Sequence, residues 1–133
     1  TFPTTLRFLE RYSHITDCDF KLISLARYML ELCLVEISMN KWNPSLLVCS
    51  AIFVSKKILE RRNPWTRFMF QQTGHQEKDV RRCAKELCFI INNAHTKRHY
   101  QAAFKKYSLP KFNGVAEICR NLSESIQQDE IQA

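Results

Sequence analysis

The sequence predicts an all-α domain whose third helix is enclosed by the others. The chain of 133 residues holds only two glycines and four prolines, too few turn residues for many short strands, and no run alternates apolar with polar long enough to argue a sheet. Apolar residues recur instead at three- and four-residue spacing over most of the length. From Leu46 to Val54 the only polar interruption is Ser50, which places that segment inside a domain. One domain suffices at this length, and it can bury most of its apolar surface alone.

The first helix is expected over residues 4–14. Threonines there can cap it, Leu6, Leu9 and Tyr12 fall on one side, and Phe8 adjoins them. Residues 19–37 are apolar nearly all round, with Lys21, Ser24, Arg27 and Glu31 as a narrow polar stripe. Such a helix is buried on most sides. Asn43 then supplies an N-cap and Pro44 the first helical residue of the third helix, where a missing N–H costs nothing. Small Cys49, Ser50 and Ala51 let neighbouring backbones approach closely, while Lys56, Lys57, Glu60, Arg61 and Arg62 are expected to return the chain to water and to favour the helix dipole.

A shorter fourth helix is expected from Trp65 to Gln72, ending at Gly74, a residue suited to the left-handed conformation after a helix. The fifth shows the clearest amphipathic pattern: Val80, Cys83, Ala84, Leu87, Ile91 and Ala94 share a face, and Arg81, Arg82, Lys85, Glu86, Asn92 and Asn93 lie elsewhere. Tyr100, Phe104 and Tyr107 make an aromatic stripe on a further, basic helix that Pro110 ends. Val115, Ile118, Leu122 and Ile126 permit a last helix, but the terminus is polar. The expected organisation is five packed helices within residues 1–110 and an extension over 111–133, partly helical or frayed.

Composition excludes several function classes. No apolar run reaches the roughly 20 residues a bilayer span requires, and the start of the chain lacks the layout of a signal peptide. A soluble, intracellular protein of nucleus and cytoplasm is expected. Cys18, Cys33, Cys49, Cys83, Cys88 and Cys119 are scattered among apolar neighbours without a Cys-x-x-Cys pair, so they are expected as small core residues in a reducing compartment. Cys83 and Cys88 share a helix face poorly. His95 and His99 are four apart, as metal-binding histidines can be, but no cysteine or carboxylate completes a ligand set, and they are expected to be solvated. Gly74 and Gly114 are too far apart for a phosphate loop. No catalytic, cofactor or metal site is predicted, and the chain does not look like an enzyme.

The net charge of +7 and a pI near 9.3 raise the question of phosphate binding. The candidates are Arg61 with Arg62, Arg81 with Arg82, and Lys105 with Lys106. On one surface they would form a basic partner-binding face for nucleic acid or for phosphorylated or acidic proteins. The simpler expectation is solvated helix faces partly neutralised by Glu60, Glu77 and Glu86; nucleic acid is the disfavoured partner.

The order of segments resembles the C-terminal cyclin-box domain of A- and B-type cyclins over nearly the whole chain. "PTTLRFLERY" is similar to the linker and first helix of that domain, "LARYMLELCL" to its second, and "PSLLVCSAIFVSKKIL" to its central third. "TGHQEKDVRRC" resembles the junction into the fifth helix, and "KKYSLPKFNGVAEI" the Lys-Tyr and Gly-Val pattern after it. Five fragments in the correct order and spacing make the resemblance specific. It implies a five-helix cyclin-box fold with four helices around the third, and a non-catalytic regulatory role beside a cyclin-dependent protein kinase.

The chain also departs from the family pattern. Cys49 and Ser50 stand where the family often has alanines, and His75 and Gln76 where a threonine cap is frequent, so the start of the fifth helix is open. The family's kinase-clasping lysine and glutamate and its hydrophobic substrate patch belong to a first box that this sequence does not contain. The resemblance therefore implies a fragment or isolated second box, monomeric alone, contacting the kinase mainly through the first box and offering a surface to protein substrates or regulators. The alternative is a nucleic-acid-binding adaptor like the cyclin-like boxes of the general transcription factor IIB.

Overall fold

A computed structural model describes residues 2–15 and 18–120. Helix α1 spans Phe2–Ile15, α2 Phe20–Leu34, α3 Pro44–Ile58, α4 Arg67–Thr73, α5 Glu77–Asn93 and α6 Gln101–Tyr107. Short 3-10 turns at Ile37–Lys41, Arg98–Tyr100 and Pro110–Phe112 join them, and residues 115–120 are again helical. Among the described residues there is no strand, and no helix is long and apolar enough to cross a membrane. The fold is the all-α arrangement that the resemblance implies.

Helix α3 is its axis. It packs against α1, α2 and α5, and twelve of its fifteen residues are buried. The Asn43 side chain accepts from the Ser45 N–H, with Pro44 in the first turn as expected. Complete burial of Ser50 is tolerated because its hydroxyl lies 2.8 Å from the Leu46 carbonyl and 3.2 Å from that of Val80 on α5. One expectation fails here. Lys56 is not returned to water but buried, its stem covered on the side of α4 and its amine 3.8 Å from the Met69 sulfur; the helical turn carries it inward, and a lysine stem is apolar enough to follow.

Boundaries shift where tertiary contacts override local signals. Helix α1 starts at Phe2 and buries Leu9 and Tyr12 of the expected stripe, with Thr5 buried beside them and Leu6 only half-buried. Helix α2 stops at Leu34, and Ser24 of the expected polar stripe is buried. Leaving the helix early lets the 3-10 turn insert Met39, which is 1% exposed, into the core. Thr66 caps α4 by accepting from the Met69 N–H, so Trp65 precedes the helix, and Gly74 ends it at φ +78° as expected.

The start of α5 is settled by a long-range bond. Gln76 stands at its N-cap without a side-chain cap, Glu77 and Asp79 complement the dipole in the first turn, and His75 Nε2 lies 2.8 Å from Ser45 Oγ at the head of α3. The Trp65 indole donates to the His75 carbonyl at 3.0 Å. Val115, Ala116 and Cys119 are also buried in the common core, while Leu122 and Ile126 lie outside the described residues.

Candidate partner-binding surface

Two tyrosine–glutamate pairs tie the C-terminal segments to the rest: Tyr107 of α6 meets Glu31 of α2, and Tyr100, in the 3-10 turn before α6, meets Glu36, just past α2. The Tyr107 hydroxyl donates to Glu31, whose carboxylate also receives Lys106 Nζ at 3.4 Å. The Tyr100 hydroxyl donates to Glu36, and His99 Nε2 lies 3.2 Å from the same carboxylate. Burial first, and then the adjoining glutamate, push both tyrosine pKa values up, so both stay protonated donors. The Tyr100 hydroxyl in turn holds Glu36 below its ordinary range.

These pairs restrict the six basic residues singled out from the sequence. Arg61, just past α3, reaches Asp19 at 2.6 Å, and Asp19 also caps α2 by accepting from the Leu22 N–H. Arginine first, with that backbone bond, lowers the Asp19 pKa. Arg81 bonds Glu77 at 2.8 Å and lies 5.4 Å from the Phe53 ring centroid, a ring that Lys57 also approaches. Lys106 joins Glu31 and lies over the Tyr107 and Phe112 rings. Arg62, Arg82 and Lys105 are exposed. Each sequence pair thus holds one residue tied to a carboxylate, Arg61, Arg81 or Lys106; for the two pairs on helices the neighbours differ because successive residues point about 100° apart.

Arg82 has companions that the sequence did not reveal. It lines a shallow depression with Lys41, Trp42, Lys85 and Glu86. Lys41 Nζ is 3.0 Å from Glu86 Oε1 and 5.4 Å from the Trp42 ring centroid. Lys85, three residues after Arg82, was the only local signal; Lys41 and Trp42 arrive from the 3-10 turn some forty residues earlier.

The cysteines and histidines sort themselves by burial. Cys33, Cys49, Cys83, Cys88 and Cys119 are buried free thiols and Cys18 is half-buried. Burial raises the pKa of Cys33, Cys49, Cys83 and Cys119, for Cys49 and Cys83 to about 12, so these are protonated, unreactive core groups. Helix α5 ends before His95, and His99 lies in the 3-10 turn Arg98–Tyr100. His99 is exposed, but His95 is half-buried against Phe104, contrary to the expectation that both are solvated; the fold of the segment after α5 turns its ring inward. Among the described residues no three His, Cys, Asp or Glu side chains gather to hold a metal ion.

The family model described as cyclin, C-terminal domain, matches residues 3–121. The chain is 34% identical to cyclin-A1-1 of Arabidopsis thaliana over 123 residues, covering 88% of this chain and 26% of that protein. It is 32% identical to cyclin-B2-3 of the same plant over 112 residues, 84% of this chain and 26% of that one. A G2/mitotic-specific cyclin-B of Marthasterias glacialis is 29% identical over 124 residues, 93% of this chain and 32% of its own length. The chain therefore spans about a quarter to a third of the length of these relatives. With a match over nearly its full length and the helical order already described, the chain belongs to the cyclin C-terminal domain family.

Proposed function

We propose that this domain is the non-catalytic second box of a mitotic-type cyclin, the regulatory subunit of a cyclin-dependent protein kinase in cell-cycle control. What supports the reading is the similarity to A- and B-type cyclins, which runs along 84% or more of the chain. In this reading residues 1–110 form the box and 111–133 its extension, and the kinase is contacted mainly through a first box outside this sequence. The second box supports the first and presents a surface to protein substrates or regulators in the nucleus and cytoplasm. Arg62, Arg82 and Lys105 face a partner on that surface, while Arg61, Arg81 and Lys106 are held by their carboxylates.

The test is kinase capture and stimulation. The domain alone is expected to sediment as a monomer and neither to retain cyclin-dependent kinases from extract nor to stimulate them, whereas the same domain joined to a first cyclin box does both. Stimulation by the domain alone would overturn the supporting role. Capture by neither form, with retention on DNA that falls steeply with salt, would point to an adaptor of the transcription factor IIB type instead.

A further inference from the structure

The outward stripe of α5 combines two features that seldom share a face. Arg82, Lys85, Glu86, Phe89 and Asn93 follow one another along the helix, most of them at three- and four-residue spacing. Phe89 is 61% exposed on what is otherwise the polar side of an amphipathic helix. At one end of the stripe, Lys41, Arg82 and Lys85 gather with Glu86 beside Trp42 around a depression of about 490 Å³. At the other, Phe89, Ile90 and Met39 form the apolar part of an adjoining hollow of about 330 Å³ that Glu36, Lys97 and His99 rim, and Glu86 borders both. Exposed Ile37 lies on the same 3-10 turn as Met39.

Three cations against one carboxylate leave a local excess of about two positive charges, which matches the roughly −1.5 to −2 of a phosphomonoester. The Arg82 fork and Lys85 are donors that phosphate oxygens accept well, and Lys41, joined to Glu86 at 3.0 Å, adds its charge beside them. Nucleic acid fits less well. A continuous backbone needs a track of unpaired cations, yet Arg61, Arg81 and Lys106 are each tied to a carboxylate, and Glu86 stands within the depression itself.

We propose that the surface of Lys41, Trp42, Arg82, Lys85 and Phe89 binds a phosphorylated segment of a protein partner, with phosphoserine or phosphothreonine at the three cations and an apolar side chain on the Phe89 hollow. The helix sets the spacing between the two anchors. Seven residues from Arg82 to Phe89 at 1.5 Å each give about 10.5 Å, which an extended peptide spans in about three residues. The recognised pattern is therefore a phosphorylated residue with an apolar one three positions away. This deepens the partner-surface part of the proposed function, and binding measured without a kinase separates its failure from the failure of the regulatory reading.

The experiment is a 1H–15N titration of the chain with short synthetic peptides carrying one phosphoserine and a leucine three positions before or after it. The Trp42 indole N–H and the backbone signals of Arg82, Lys85 and Phe89 are expected to shift saturably with one of the two orders. The serine and glutamate versions of that peptide should bind at least tenfold more weakly. Arg82→Glu with Lys85→Glu, on an exposed face and checked for an unchanged thermal midpoint, should abolish the response. Phe89→Ala should weaken the peptide several-fold while leaving the response to inorganic phosphate as it was. Equal binding of the glutamate peptide would overturn the phosphate anchor, and equal binding of a peptide without leucine would overturn the apolar one. Absence of saturation by any peptide, or a stronger response to duplex DNA spread over Arg62 and Lys105, would overturn the proposal entirely.

Discussion

The Tyr107 hydroxyl donates a hydrogen bond to the Glu31 carboxylate, joining α6 to α2 across 76 residues of sequence. The ring behind that hydroxyl is fully buried and packs 5.6 Å from the Tyr28 ring. One side chain therefore serves the core with its face and the α2–α6 contact with its tip.

Removing the tip should separate the two contributions. Tyr107→Phe keeps the ring and loses the charge-assisted bond, which is worth about 1.5–3 kcal/mol in general; with Glu31 partly open to water and still joined to Lys106, about 1–2 kcal/mol is expected. Urea unfolding checks it, and a double-mutant cycle with Glu31→Gln should show the two changes to be non-additive. Additive losses would mean that the pair does not act as a unit.

The central helix has no room to spare. Ala51 is completely buried on α3, so Ala51→Leu should overpack the core and lower stability by about 1–3 kcal/mol. An unchanged urea midpoint would contradict the packing of α3 against its neighbours.

Acid should loosen the α3–α5 junction. Burial lowers the His75 pKa from its ordinary 6.5, with Asp79 opposing, so the folded state favours the neutral ring. Its contribution is full above pH 6.5 and is lost as the pH falls through the lower folded value. Stability is expected to drop as the pH falls below about 6.5, and His75→Gln, which cannot titrate, should flatten that part of the profile. An identical profile in the variant would remove His75 as the cause.

Alkali should act through the buried thiols. Cys33, Cys49, Cys83 and Cys119 have pKa values raised above the ordinary 9.0 by burial. Their contribution is full below pH 9.0 and declines as the pH rises toward the folded values, about 12 for Cys49 and Cys83. Each thiol that ionises only on unfolding steepens the loss by up to about 1.4 kcal/mol per pH unit. Unfolding midpoints across about pH 8 to 10.5 measure the decline, and Cys49→Ala should make it shallower.

Much of this fold was legible because its signals are local. Asn43 and Pro44 start α3 by their own chemistry, Gly74 ends α4 by its freedom at positive φ, and the apolar run from Leu46 marks a helix that water does not reach. The candidate surface was less legible. Doublets such as Arg81 and Arg82 are visible in sequence, but which member meets a carboxylate depends on what the fold brings alongside.

The sequence by itself determined that the chain is helical, which helix is innermost and which family it belongs to, since periodicity, caps and segment order need no knowledge of distant contacts. Only the tertiary structure decided that Lys56 is buried, that α2 yields early so that Met39 can enter the core, that His75 reaches Ser45, and that Lys41 and Trp42 join Arg82. Each depends on contacts between residues far apart in the chain. Packing energy over such separations outweighs the small local preferences that set a helix end or turn a side chain to water.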